Sequence, residues 1–420
     1  MLDIKFIREN PDLIREAIRK KKVTADVDRL LDVDAKRLEA LKEVEQLRAE
    51  QNQASDAIAQ LTGDERAEKI AAMKSFKQGL VDKEADLAKL ETEWHELMLT
   101  IPNVMDPSVP EGDSDADNVE IHKWSEMPEF DFEPKGHIDL MLEHDMADFD
   151  RGTKVAGFRG YFLKNDGARL AFAIWQYAQK FFSEKGFMPI IAPSLVRREA
   201  FLGTGYLPQG EEDLYKTQDG DYLAGTAEVA VMAYYMNEVL PRTELPKKFL
   251  GFSPCFRREA GSHGKDVKGL IRVHEFYKWE QVVLCEANHE ESVRFHEWLH
   301  RNTEEFIESL QIPYRTVVNC GGDLGLGQVK KYDVELWVPG ENTYREIGST
   351  SYFHDFQTRR LNLRYRDDEG NLKFAHSLNG TAIPTPRILV SIIENYQQAD
   401  GSIRIPEVLQ LYMGGRTEIR

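Results

Sequence analysis

At 420 residues, 41% of them hydrophobic and 30% charged, the chain can bury at least one large core and has length for two domains. Its formal charge of -18, from 54 Lys and Arg against 72 Asp and Glu, argues against indiscriminate nucleic-acid binding, which needs clustered cations, while leaving room for a local basic groove. Three widely spaced cysteines form no metal-ligand pattern, the N-terminus mixes charges among its apolar positions, and no apolar run approaches about 18 residues, so a cytoplasmic protein without secretory signal or membrane span is expected.

From Val27 to Thr100 there is no proline, and Gly63 and Gly79 are the only glycines, which predicts a long helical hairpin. Leu47, Ala54 and Leu61 recur every seven residues with Gln51 and Ile58 between them; Met73, Leu80, Leu87 and Trp94 do the same, with Leu90 and Leu97 at the intermediate position. The turn falls in "LTGDERAEK", with Gly63 as the helix stop and Asp64 as the next N-cap. Two such helices would project about 50 Å at 1.5 Å per residue. An oligomerisation zipper and a reaching arm both satisfy this pattern. The Pro-, Asp- and Ser-rich "TIPNVMDPSVPEGDSDADNVE" reads as a linker. The expected domains are therefore 1–105, a linker over 106–124, and 125–420.

After Trp124 apolar helical segments such as "ARLAFAIWQYAQKFFSEKG" alternate with strand-like runs such as "FMPIIAPSLV", "EFYKWEQVVL" and "YDVELWVP". Strands follow one another across loops as often as across helices. The predicted class is α+β, a mostly antiparallel sheet flanked by helices and preceded by the coiled-coil hairpin. Within it, "FRREAGSHGKDVKGLIRVHEFYKWEQ" gathers cations and aromatics around a glycine-containing loop. With a period of two, Arg272, His274, Phe276, Lys278 and Glu280 share one strand face, as do Arg257 and Glu259 across the loop. An exposed ribbon with cross-strand ion pairs fits this pattern, and so do spaced subsites for phosphate, an aromatic ring and a small polar group.

That stretch resembles the second signature motif of the class II aminoacyl-tRNA synthetases in its seryl form. The likeness runs the whole length: the hairpin, "GFMPIIAPSLV" as first motif, "AGTAEVA" as a serine-binding loop, "YREIGSTSYFHDFQTRRLNLRYRD", and "LNGTAIPTPRILVSIIENYQ" as third motif, in the order of the bacterial-type seryl-tRNA synthetases. The resemblance implies ATP-dependent attachment of L-serine to tRNA(Ser) through a seryl-adenylate, with tRNA(Sec) served where present, Mg2+ as cofactor, and a homodimer. It implies that Arg257 contacts the serine carboxylate and the α-phosphate, that Glu259 reaches the adenine amino group, and that Phe276 stacks on the base. Arg387 would cover the other side of the ring or the γ-phosphate, and Arg272 would lie near the outer phosphates. Arg258, Val273, Ile347 and Gly348 would complete the nucleotide site, and Glu346 and Ser349 would be the magnesium ligands. Thr226 and Glu228 would hold the substrate ammonium, with Ala227 between them in the serine-binding set, while Glu280 and Thr381 would read its hydroxyl. Arg257, Glu346 and Arg387 are the catalytic set implied.

Two departures from the family pattern stand out. Gly348 occupies a position where many relatives carry serine, and Thr350 one where many carry cysteine, which weakens the case for a second hydroxyl ligand but not for Glu346. Pro384 and Pro386 precede Arg387 in place of the wider class's glycines. Two rival functions remain: a ligase loading a carrier protein, for which the hairpin has no use, and a non-catalytic scaffold, which would need broken motifs. A tRNA-contacting stripe on the hairpin has Lys36, Arg37, Lys42, Arg48, Lys69, Lys74 and Lys77 as candidates.

Overall fold

The structure, a computed structural model, describes residues 1–261, 266 and 268–420. The expected loop over residues 260–269 falls in part on 262–265 and 267, which lie outside the described residues. The chain divides into two compact units: one is Leu2–Arg19 with Val23–Pro102, and the other is Met1, Lys20–Lys22 and Asn103–Arg420.

In the first unit, α1 (Ile4–Glu9) and α2 (Pro11–Lys20) precede α3 (Val27–Ala59) and α4 (Gly63–Thr100). Asp26 caps α3 by accepting a hydrogen bond from Arg29 N. Val44, Leu80 and Leu87 form the buried seam of the hairpin, flanked by Ala40, Leu41 and Leu47. Ion pairs cross it at Arg29–Glu93, Arg48–Glu84 and Lys83–Glu43. Toward the tip the seam thins, and Ala54, Ile58, Leu61 and Met73 are only half-buried. The turn differs in detail from its sequence reading: Thr62 is the N-cap, Gly63 opens α4 with φ +66°, and Asp64 sits in the first turn. Glycine takes that left-handed φ without the clash of a Cβ, so it starts the second helix where a stop was expected.

In the second unit the main sheet contains β1 (Val119–Trp124), β2 (Met188–Ile191), β3 (Lys247–Phe256), β4 (Glu275–Cys285), β5 (Tyr314–Val318), β6 (Lys330–Val338), β7 (Thr343–His354) and β8 (His376–Thr385). Their order is β1-β5-β6-β7-β8-β4-β3-β2, every pairing antiparallel except β2 with β3. The α+β expectation is met. On one face α5 (Asn165–Glu184) buries Leu170, Ala171, Ile174, Ala178 and Phe182, a stripe of three- and four-residue steps. Behind the central strands α6 (His289–Ser309) bonds directly to the sheet: His296 Nε2 lies 3.0 Å from Thr350 O, and Thr303 Oγ1 donates to Thr381 O at 2.8 Å. The helix α7 (Arg387–Asn395) begins two residues after β8 ends. The neighbouring strands β4, β7 and β8 thus form a floor fixed from below, and their upper face is free to carry chemistry.

Candidate active site

A cavity of about 280 Å³ opens over β4, β7 and β8. Its lining brings together Arg257, Glu259, Arg272, Val273, Phe276, Glu280, Glu346, Ile347, Gly348, Ser349, Thr381, Arg387 and Glu228 from segments spread over some 160 residues of sequence. Arg258, Thr226 and Ala227 stand outside it. The Arg258 amide donates to Asp213 O at 3.1 Å, while Thr226 and Ala227 are buried behind the wall, and Thr226 Oγ1 accepts from Glu228 N at 3.2 Å. His274 also departs from its expected face and lines a separate cavity. Because β4 starts only at Glu275, alternation does not govern 272–274, and Arg272 and Val273 both line the site.

At one end the arginines gather. The Arg257 guanidinium lies 5.1 Å from the centroid of the Phe276 ring. Glu259, at φ +54°, accepts from Arg272 Nη1 at 2.5 Å, and Arg272 Nε lies 3.5 Å from Asp266. Arg387 Nε donates to Ile271 O at 3.0 Å and Nη1 to Glu346 O at 2.5 Å. Burial, with Arg257 and Arg272 adding like charge and Glu346 opposing, pulls the Arg387 guanidinium below its usual range. Clustered guanidiniums of this kind accept a polyanion at low cost. The Glu346 side chain is exposed into this end and Ser349 lies three residues on.

The other end is acidic and buried. Lys278, absent from the expected site, places Nζ 2.5 Å from Glu280 Oε2. That contact is an ion pair without hydrogen-bond alignment, and Glu280 Oε2 accepts no hydrogen bond among the described residues. Thr381 faces Glu280 across the β4–β8 pair. Gly348 makes room for it: a Cβ there would lie 2.4 Å from Thr381 Cβ, so a serine cannot stand at 348 unless Thr381 moves. Glu228, 2% exposed, accepts from Gln357 Nε2 at 2.8 Å, Tyr206 OH at 2.9 Å and Asn379 Nδ2 at 2.6 Å. Burial raises its pKa to about 7, Glu280 adds to the rise, and the hydrogen bonds from Gln357 and Tyr206 and the charge of Lys278 offset it in part. A buried carboxylate pair short of positive charge is a cradle for a small ammonium. Asn379 was legible in hindsight, two residues before Thr381 on the same strand face; Tyr206, from a helix end far away in sequence, carried no local signal.

A family model described as "Seryl-tRNA synthetase N-terminal domain" matches residues 1–105, and one described as "tRNA synthetase class II core domain (G, H, P, S and T)" matches 215–396. A serine–tRNA ligase of Deinococcus radiodurans is 46% identical over 99% of this chain and 98% of its own. The chain belongs to the seryl-tRNA synthetase family. Among solved structures, the seryl-tRNA synthetase of Pyrococcus horikoshii complexed with ATP aligns with a TM-score of 0.91 at 38% identity, covering 100% of this chain and 99% of that one. The cytoplasmic serine–tRNA ligase of Naegleria fowleri in complex with AMP aligns with 0.87 at 33%, again over 100% and 99%.

Proposed function

We propose that this chain joins L-serine to tRNA(Ser) in two steps, with serine and ATP condensing in the cavity over β4, β7 and β8. In the first step the serine carboxylate attacks the α-phosphorus and pyrophosphate leaves, so the protein needs no nucleophile of its own and has to orient and neutralise. The polarity of the cavity carries this reading: guanidiniums at one end, two buried carboxylates at the other, and Arg257 within the lining that joins them. Arg257 bridges the two anions that must meet, Arg272 and Arg387 receive the outer phosphates, and Phe276 and Glu259 take the adenine. At the acidic end Glu228 holds the ammonium. Glu280 and Thr381 bond the hydroxyl, so alanine would leave them unpaired.

Glu346 and Ser349 are hard oxygen donors beside the phosphate end, and they suit Mg2+, which takes one or two protein ligands and fills its octahedron from phosphates and water. The ion would supply charge neutralisation at the phosphates. Residues 1–105 are proposed as the tRNA-binding domain, 106–124 as the linker and 125–420 as the catalytic domain. A homodimer is proposed as well, supported by apolar exposure, with Ile191 83% and Phe172 58% exposed, and a cytoplasmic location is proposed on the family resemblance alone. Service of tRNA(Sec) rests on the family resemblance alone. The carrier-protein alternative is not favoured, because the relatives match through the hairpin. Pyrophosphate exchange measured with each amino acid in turn tests the reading: serine alone should sustain it, and exchange driven by another amino acid would overturn it.

A further inference from the structure

The catalytic unit includes two short stretches at which the chain leaves for the helical unit and returns from it, Lys20–Lys22 and the segment beginning at Asn103. Each buries a side chain against one part of the cavity wall, residues 325–328. Lys21, 2% exposed, donates from Nζ to Gly325 O at 3.1 Å, Leu326 O at 3.0 Å and Gln328 O at 2.5 Å. Asn103, 3% exposed, donates from Nδ2 to Gly327 O at 3.0 Å and Phe353 O at 2.8 Å, and from its amide to Leu326 O at 2.9 Å. Lys21 forms no ion pair with a carboxylate among the described residues. Burial alone pulls its pKa down to about 7, while three carbonyl oxygens, which can only accept, favour the charged form. Burying an ammonium against backbone is costly, and a methionine of similar length would fill the space without that cost.

The wall it holds leads to the acidic end of the cavity. Gln328 closes the turn by accepting from Gly325 N at 2.6 Å, and its Nε2 donates to Ser351 Oγ at 2.8 Å. Ser351 pairs in register with Asn379, whose Nδ2 donates to Glu228 at 2.6 Å. We propose that Lys21 and Asn103 are positioning residues for the serine end of the site, fixing the 325–328 wall and, through Gln328, Ser351 and Asn379, the orientation of Glu228. The proposal rests on serine being the substrate held by Glu228.

Serine-dependent pyrophosphate exchange on the full chain tests it with Lys21→Met and Asn103→Ser, and with Lys22→Ala as control. Lys22 is exposed and pairs with Asp113 at 2.8 Å. In both variants the KM for serine should rise about 10-fold, the scale of one buried hydrogen bond left unmade, while the KM for ATP stays within about twofold. The control should move neither. A purely structural role would lower the active fraction and leave both constants alone, or shift both together; either result overturns the clamp. Should Lys21→Met fail to fold, the Asn103→Ser constants decide. An unaltered protein that exchanges with an amino acid other than serine sinks the reading beneath the proposal, whereas normal wild-type exchange with unsplit constants in the variants sinks only the clamp.

Discussion

Glu228 combines a buried carboxyl, three donors and a neighbouring carboxylate, and its raised pKa has a readable consequence. With its proton favoured in the folded state, its contribution to stability is fully present below the usual carboxylate range and is lost as pH rises through about 7. With Glu228 holding the serine ammonium as proposed, serine binding runs the other way, since an ammonium selects the ionised form. The KM for serine should therefore climb as pH falls below about 7, approaching tenfold per pH unit, while that for ATP stays flat. Glu228→Gln should bind serine weakly with no such slope, and a slope that survives in this variant would assign the titration elsewhere. Gly348 gives a second test. With 2.4 Å between a new Cβ and Thr381, Gly348→Ala must displace the residue proposed to read the hydroxyl, and overpacking of about 1–3 kcal/mol translates into a loss of roughly 5- to 150-fold in serine exchange. If exchange is unchanged, Thr381 is not fixed as described.

Of the strands that floor the site, β4 was legible as a strand, and its Phe276, Lys278 and Glu280 share a face as their period of two requires, whereas β7 and β8 stood out only as family motifs. The irregularities that aim the side chains were not legible. Pairing between β4 and β8 slips by one residue between Trp279 and Glu280, setting Glu280 opposite Thr381 and skipping Ala382. Pairing between β6 and β7 slips at Glu335, so Glu346 and Gly348 flank an unpaired Ile347. Bulges re-aim side chains where a regular ladder would turn them over, and nothing in a single strand's composition encodes a slip that depends on its partner. The hairpin shows the same division. Its helices and seam follow from the heptads, but which cations remain available does not. Lys36, Arg37 and Arg48 are tied to Asp32, Asp34 and Glu84, and Arg37 also covers the Trp94 ring at 4.8 Å. Lys42, Lys69, Lys74 and Lys77 are exposed and enter no ion pair among the described residues. Replacing Lys69, Lys74 and Lys77 by alanine should weaken tRNA binding and lower the slope of log affinity against log salt by roughly 2, with melting unchanged. Arg37→Ala should do the opposite, lowering the melting temperature and leaving the salt slope alone. A salt slope that responds to Arg37 and not to the lysines would move the RNA footprint toward the base of the hairpin.

At the scale of the whole chain, the two units divide the two half-reactions. Every group proposed to hold serine and ATP belongs to the unit that contains Asn103–Arg420, and none lies on α3 or α4. The hairpin can therefore be removed without touching the first step, provided that the base of its unit keeps its own packing. Deleting Leu38 through Thr92 and joining Arg37 to Glu93 by a short turn retains the Arg8–Asp34 and Arg37–Asp34 pairs and the Arg29–Glu93 bridge. The shortened chain should exchange pyrophosphate with serine within a few-fold of the full chain. Charging of tRNA should fall by orders of magnitude, because the cations that anchor phosphates and the surface that reads the shape of an RNA body leave together. A zipper predicts another pattern. The deletion would then convert a dimer to a monomer in sedimentation, and any activity that needs the dimer would fall in both assays alike. A reaching arm predicts unchanged sedimentation order with the two activities uncoupled, since the exposed apolar residues Ile191 and Phe172 remain on the catalytic unit. Exchange and charging measured on that one deletion, beside its sedimentation, therefore separate a hairpin that grips RNA from one that grips a second copy of itself.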